Sequence, residues 1–377
     1  MSEIKFIKRL IDSGLKERSG KAKIIIGPRQ AGKTTLLHQL FDNEKKVLWF
    51  SGDEPDDNAT FEGITSTRLK NLIGENDTII IDEAQKINDI GTKLKLITDH
   101  IKNVNIIATG SSAFELTNKV NESLTGRKRE FNLYPLSFKE MVDHIGFREE
   151  IRLLPHRLVY GYYPEVVSNP GNEKEILAEI VNSYLFKDIL MWNRIQKSDK
   201  LMKLLQALAF QIGNEVSYNE LGKITELKND TVESYIAILE KAFIVFRLGA
   251  FNRNLRKELK RSRKIYFYDL GIRNALISNF RSIELRDDIG KLWENFLVLE
   301  RLKHTNYNKI YCNKYFWRTT DQQEIDYIED RDGTLYAYEF KWNDIKKVKI
   351  PKIFTTTYPN SESMIISRDN FEGFLGI

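Results

Sequence analysis

Over the first 140 positions the apolar residues fall in short unbroken blocks: Ile24–Ile26, Val47–Phe50, Ile79–Ile81 and Ile106–Ala108. Each gives way to Gly, Ser, Asp or Thr. Continuous runs of this kind predict strands buried on both faces of a parallel sheet. Further along the period changes. In EKEILAEIVNSYLFKDIL and KLMKLLQALAF, apolar residues recur every three or four positions, which predicts amphipathic helices between Glu173 and Phe210. After Asn214 the pattern predicts a short helix with Leu221 and Ile224, a turn at Leu227–Asn229, a second helix with Asp230 as its N-cap, and the β-rich FIVFRL. That order is a helix-turn-helix followed by a wing. In the last third, alternating segments flank Asp332-Gly333, a two-residue hairpin signal.

The first block runs into a loop of recognisable chemistry. Gly27, Pro28, Arg29, Gln30, Ala31, Gly32, Lys33 and Thr34, followed by Thr35, spell G-x-x-x-x-G-K-T between a strand and a helix. Such a loop turns its backbone N–H groups inward at an anion, and the helix N-terminus adds its dipole. ATP is the expected ligand, with Lys33 on the β- and γ-phosphates and Thr34 on Mg²⁺. The block TIIIDEAQ ends in Asp82 and Glu83, at the strand end where open α/β sheets bind ligands. Asp82 is expected to hold the Mg²⁺ water shell and Glu83 to orient the attacking water. At the end of the next block stand Thr109, Gly110, Ser111 and Ser112; Ser111 is the expected phosphate or water contact, with helix capping as its ordinary alternative. Arg127 and Arg129 are candidates for the arginine that stabilises phosphoryl charge, from the same chain or a neighbouring copy.

Composition narrows the class. With 377 residues, 41% hydrophobic and 29% charged, the chain is expected to form two or three soluble domains. A net charge of +5 permits a nucleic-acid partner without requiring one. The lone Cys312 excludes a disulfide within the chain, and no apolar run reaches about 18 residues, so the expectation is a cytoplasmic protein without a membrane span. The N-terminal twenty residues read as an amphipathic helix. The five histidines lack ligand spacing.

The series GPRQAGKTT, IIIDEAQ, IIATGSS and LTGR followed by LYPLSFKE resembles the prokaryotic AAA+-type ATPases that carry a C-terminal domain of uncharacterised function. The resemblance covers roughly the first 140 residues. It implies a sheet with an extra strand between the loop strand and the Asp82 strand, and a catalytic Glu83. One departure is GYYPEVV, where Tyr162 stands in place of the family's usual second glycine.

Two further segments carry chemistry. FNRNLRKELKRSRK places Arg253, Arg256, Lys257, Lys260, Arg261, Arg263 and Lys264 at the expected wing, against the single acid Glu258. This is the footprint of a phosphate backbone, so DNA is the expected partner, although an acidic protein would also be attracted. Thr231, Glu233 and Ser234 would head the recognition helix, where Glu233 argues against simple phosphate attraction. In the hairpin, Asp326 is expected opposite Glu339 and Glu324 opposite Lys341, all on one face. Facing carboxylates repel unless a cation or proton intervenes, which predicts a metal, Mg²⁺ or Mn²⁺, on Asp326 and Glu339 with Lys341 beside the reacting phosphate. Asp326 with the E-x-K of Glu339 and Lys341 resembles the PD-(D/E)xK nuclease superfamily, and that resemblance makes Glu294 the extra acid. The alternative is a structural hairpin with a Glu324–Lys341 ion pair.

The expected architecture is therefore an α/β chain: a P-loop AAA+-type core at 1–140, a helical lid and connector at 141–205, a winged helix at 206–265, and a restriction-endonuclease-like α/β domain at 266–377. The expected function is ATP hydrolysis coupled to a DNA-binding, nuclease-like half. A non-nucleolytic, ATP-dependent switch binding DNA or protein is the alternative, and homo-oligomers are compatible with either.

Overall fold

In the computed structural model, residues 6–110, 123–185, 198–251, 263–343 and 349–377 are described. They divide into two units: Met1–Leu136 with Lys241–Phe243, and Ser137–Glu240 with Ile244–Ile377.

In the first unit, β1 (Ala22–Ile26) is buried along its whole length, as its isoleucine run requires. It pairs in parallel with β4 (Asn105–Gly110) on one side and β5 (Lys128–Asn132) on the other. β3 (Thr78–Asp82) lies outside β4, and β2 (Val47–Ser51) outside β3. The order is β2-β3-β4-β1-β5, all parallel, so β4 is the strand expected between those leading to the loop and to Asp82. Among the described residues of the N-terminal twenty, Asp12–Lys16 is helical. Tertiary anchors compete with helix propagation here. The Arg9 guanidinium donates to Ala31 O at 2.8 Å and Tyr134 O at 2.6 Å. The buried Lys23 ammonium donates to Leu15 O at 2.7 Å and Asn105 Oδ1 at 2.6 Å.

The second unit contains two consecutive helices, Tyr218–Thr225 and Asn229–Lys241, where the sequence places a helix-turn-helix. Asp230 lies in the first turn of the second helix rather than at its cap. β6 (Glu215–Val216), β7 (Val245–Ala250) and β8 (Arg263–Phe267) form antiparallel pairs beside it. The hairpin is β10 (Glu324–Arg331) with β11 (Thr334–Phe340), and Tyr327 faces Tyr338, which is the register expected from the Asp332-Gly333 turn. Both turn residues have positive φ, 49° and 82°, as a two-residue turn of this twist requires. β9 (Asn313–Arg318) flanks β10, and β12 (Ser361–Ile366) flanks β11.

β7 also pairs in parallel with β9. The strands assigned by sequence to two domains are thus one seven-stranded sheet, β12-β11-β10-β9-β7-β8-β6. One face of its hairpin half packs Trp317, Ile325, Ile328, Leu335 and Ala337 against Phe354 and Tyr358. Nearby, Tyr162 is accommodated because Gly161, not Tyr162, takes the left-handed backbone (φ 75°). A side chain at Gly161 would collide with the Asp269 carboxylate, which accepts from Tyr162 N at 2.7 Å and Ile272 N at 3.0 Å. The Tyr162 phenol donates to Glu150 at 2.8 Å. No helix among the described residues is long and apolar enough to cross a membrane.

Candidate functional site

The loop after β1 is shaped by its glycines. A Cβ at Gly27 would collide with the Leu133 carbonyl, and Gly32 (φ 87°) turns the chain into the helix Lys33–Phe41. Gln30, at φ 59°, is also left-handed, so the loop curls at two points, as an anion-cradling loop does. Lys33 is buried and its ammonium donates to Gly27 O at 3.0 Å and Pro28 O at 2.9 Å, closing over the loop's own carbonyls. Thr34 Oγ1 donates to Asp82 Oδ2 at 2.6 Å. The parallel pairing of β3 with β4 brings the ends of those strands together, so Thr109 Oγ1 donates to Asp82 Oδ1 and accepts from the Glu83 N–H at 3.1 Å.

Thr109, which is fully buried, is therefore the strand-end hydroxyl on the acidic pair. The choice of Ser111 falls outside the described residues. Thr109 stood in the same TGSS stretch, and only the strand register singles it out. Gln85 is a second residue not expected from sequence: its amide donates to Glu83 Oε2 at 2.5 Å. Glu83 has φ 46°, a left-handed conformation that costs a non-glycine residue about 1–3 kcal/mol. Backbone strain at the residue expected to orient water is what a held catalytic group would show. The donor set fits Mg²⁺: a threonine hydroxyl and an aspartate meet beside a loop able to hold polyphosphate.

Arg127 is corrected as a same-chain contact to the phosphates. It precedes β5, and its carbonyl accepts from Ala22 N at 2.9 Å, at the start of β1. The loop leaves from the other end of β1. Five extended residues at roughly 3.3 Å each put Arg127 about 16 Å away. Its guanidinium is bound to Asp99 at 2.6 Å, and Arg129 is bound to Glu17 at 2.9 Å. The hydrogen bond from Arg127 holds the Asp99 carboxyl below its ordinary range.

The C-terminal acids on which a metal was expected lie in the second unit, and a buried lysine stands among them. Lys264, at 1% exposure, extends from β8 to Glu294 at 2.8 Å, Glu324 at 2.5 Å and Asp326 at 3.7 Å. A β-bulge opposite Phe316 turns Asp326 inward: Ile325 pairs with Trp317 and Ile328 with Tyr315. Glu294 also accepts from the Tyr266 hydroxyl at 2.7 Å and from Lys291 at 3.2 Å. Asp326 accepts from Phe340 N at 2.9 Å. Lys341 binds Glu339 at 2.7 Å, not Glu324. Among the described residues, no group of three or more His, Cys, Asp or Glu is arranged to hold a metal ion.

Burial raises the Asp326 carboxyl to about 7, aided by Glu294 and Glu339 and opposed by Lys264. Burial alone would lower Lys264, but its interactions with the Tyr266 hydroxyl and with the carboxyl groups of Glu294, Asp326 and Glu324 outweigh that and raise it. Of the expected basic wing, Arg263 sits 3.8 Å from Glu233 and Lys264 is buried. Arg253, Arg256, Lys257, Lys260 and Arg261 lie outside the described residues.

Residues 19–142 match the model of an AAA domain. This stretch is similar to AAA-type ATPase domains. Two further models match beyond it, a domain of unknown function (DUF8612) at residues 151–283 and a domain of unknown function (DUF4143) at residues 289–372. Among curated proteins, an uncharacterised protein of Mycobacterium tuberculosis is 26% identical over 327 residues, covering 84% of this chain and 69% of the relative. One from Methanocaldococcus jannaschii is 24% identical over 353 residues, covering 87% and 77%. Among solved structures, a Signal Transduction ATPase with Numerous Domains protein with a tetratricopeptide repeat sensor, from Pyrococcus horikoshii, aligns at TM-score 0.30 and 14% identity. That alignment covers 81% of this chain and 48% of the other, so the chain spans about half the length of that protein.

Proposed function

We propose that the AAA-type domain hydrolyses ATP and that this turnover controls a C-terminal half that binds DNA through its helix-turn-helix and wing without cutting it. The observation that carries the first part is the convergence of Thr34 and Thr109 on Asp82, next to a buried Lys33 in a curled loop. Lys33 neutralises the β- and γ-phosphates, the loop N–H groups bind their oxygens, and Thr34 with Asp82 holds the metal side of the nucleotide. Mg²⁺, when bound with the nucleotide, supplies charge neutralisation on the phosphates. Glu83 orients and polarises the attacking water, and Gln85 fixes the rotamer of its carboxylate.

DNA binding rests on the helix pair Tyr218–Thr225 and Asn229–Lys241, its strand pair, and the seven cations between Arg253 and Lys264 in the sequence. A protein partner is the second reading, favoured by Glu233, an acid in the first turns of the recognition helix and ion-paired to Arg263. An arginine reaching the phosphates from a neighbouring copy remains compatible with the position of Arg127.

The test measures ATP turnover and duplex-DNA anisotropy on the same preparations. Lys33→Ala and Glu83→Gln are expected to abolish turnover, with Glu83→Gln still binding nucleotide. DNA affinity is expected to fall steeply with salt, and Arg261→Ala/Arg263→Ala to flatten that slope. Turnover that survives Lys33→Ala refutes the ATPase assignment; absence of DNA binding at low salt transfers the C-terminal half to a protein partner.

A further inference from the structure

We infer that the acidic cluster of the second unit is closed by Lys264 and takes no divalent cation: the β8 ammonium occupies the place that the acid-and-lysine hairpin assigns to a metal. The argument begins with sheet order. Because β7 pairs with both β8 and β9, β8 is brought into the sheet that carries the hairpin, and Lys264 reaches the acids of β10. No local reading of the hairpin could include it.

The oxygens are then accounted for one by one. The Lys264 ammonium donates to Glu294 at 2.8 Å, is ion-paired to Glu324 at 2.5 Å and lies 3.7 Å from Asp326, within ion-pair but beyond hydrogen-bond reach. The other oxygens have their own partners: Glu294 Oε2 is held by Lys291 at 3.2 Å, Glu324 Oε2 faces Arg318 at 3.7 Å, and Asp326 Oδ2 accepts from Phe340 N. Glu339 Oε1 is held by Lys341. That leaves Glu339 Oε2 as the one buried carboxylate oxygen of the cluster without a partner, where a hard divalent cation takes about six oxygen ligands. Cations surround the acids as well. The carboxyl groups of Glu294, Glu324, Asp326 and Glu339 are met by the cations Lys264, Lys291, Lys341 and Arg318, the last shared with Glu215 at 3.5 Å. A divalent ion entering this pocket must displace a buried ammonium already satisfied by the same oxygens.

The experiment titrates nucleotide-free full-length protein with Mn²⁺ and counts bound ions by electron paramagnetic resonance. Wild type and Asp326→Asn are expected to bind the same number. Lys264→Met is expected to gain one saturable Mn²⁺ site per chain, and Lys264→Met/Asp326→Asn to lose it again. Circular dichroism checks each variant for folding, with Lys264→Gln as the substitute if the methionine variant unfolds. The inference is overturned if Asp326→Asn removes one bound Mn²⁺ from the otherwise wild-type chain. It is equally overturned if a folded Lys264→Met or Lys264→Gln protein gains none. Should neither variant fold, the comparison of wild type with Asp326→Asn decides alone: equal counts uphold the closed cluster.

Discussion

Replacing Thr109 with valine removes one hydroxyl and almost no volume. That hydroxyl donates to Asp82 Oδ1 and accepts from the Glu83 N–H, and the residue is fully buried. The substitution therefore costs one charge-assisted hydrogen bond, about 1.5–3 kcal/mol, and strands the Glu83 N–H, about 1–3 kcal/mol more. Part of this is lost from the fold of the first unit. The part borne by Asp82 reaches the nucleotide, because the same carboxylate receives Thr34 Oγ1. If a single charged hydrogen bond is lost from the reacting complex, turnover falls roughly 10–150-fold at 1.36 kcal/mol per decade. Steady-state ATPase assays on Thr109→Val, with nucleotide affinity measured separately, read this loss. Thr109→Ser, which keeps the hydroxyl, is expected to stay within a few-fold of wild type. A Thr109→Val enzyme turning over within twofold of wild type would refute the claim that this threonine positions the acidic pair.

Arg9→Ala removes two guanidinium bonds that tie the loop carbonyl of Ala31 to Tyr134; fluorescent-nucleotide titration is expected to show affinity down about tenfold, and an unchanged affinity would show that the loop holds its shape unaided. The buried Asp269 carboxyl is raised by burial from 3.8 to about 6, against the pull of the N–H groups of Tyr162 and Ile272 and of Lys303. Since the folded pKa is the higher one, this group favours the fold fully below about pH 4, and the benefit is lost as pH rises through 6. Roughly 3 kcal/mol is the upper bound on the change. Urea unfolding across this range should show wild type losing stability relative to Asp269→Asn; parallel curves would refute the shift.

How much of this was legible in the sequence follows the range of the interactions involved. The phosphate loop is contiguous, so Gly27 through Thr34 could be assigned from spacing alone. The hairpin register also depends on neighbours, and Asp332-Gly333 sets Tyr327 against Tyr338. Thr109 was harder, since four strand-end residues were equivalent until the pairing of β3 with β4 selected one. Arg127 was misplaced for a related reason: it enters β5 beside the start of β1, whereas the loop leaves the other end of β1. Lys264 could not be read at all. Its neighbours in sequence are basic and suggest a solvated wing, whereas the pairing of β7 with β9 turns it into the counterion of acids some thirty to sixty positions away.

That pairing also sets how the second unit can respond to a ligand. Two modules joined by a linker could swing independently, one gripping a partner while the other searched. Here β6–β8 and the hairpin belong to one sheet, joined through the backbone pairing of β7 with β9. Moving one half of this sheet against the other must strain or break the β7–β9 backbone hydrogen bonds, which buried backbone groups give up at a cost.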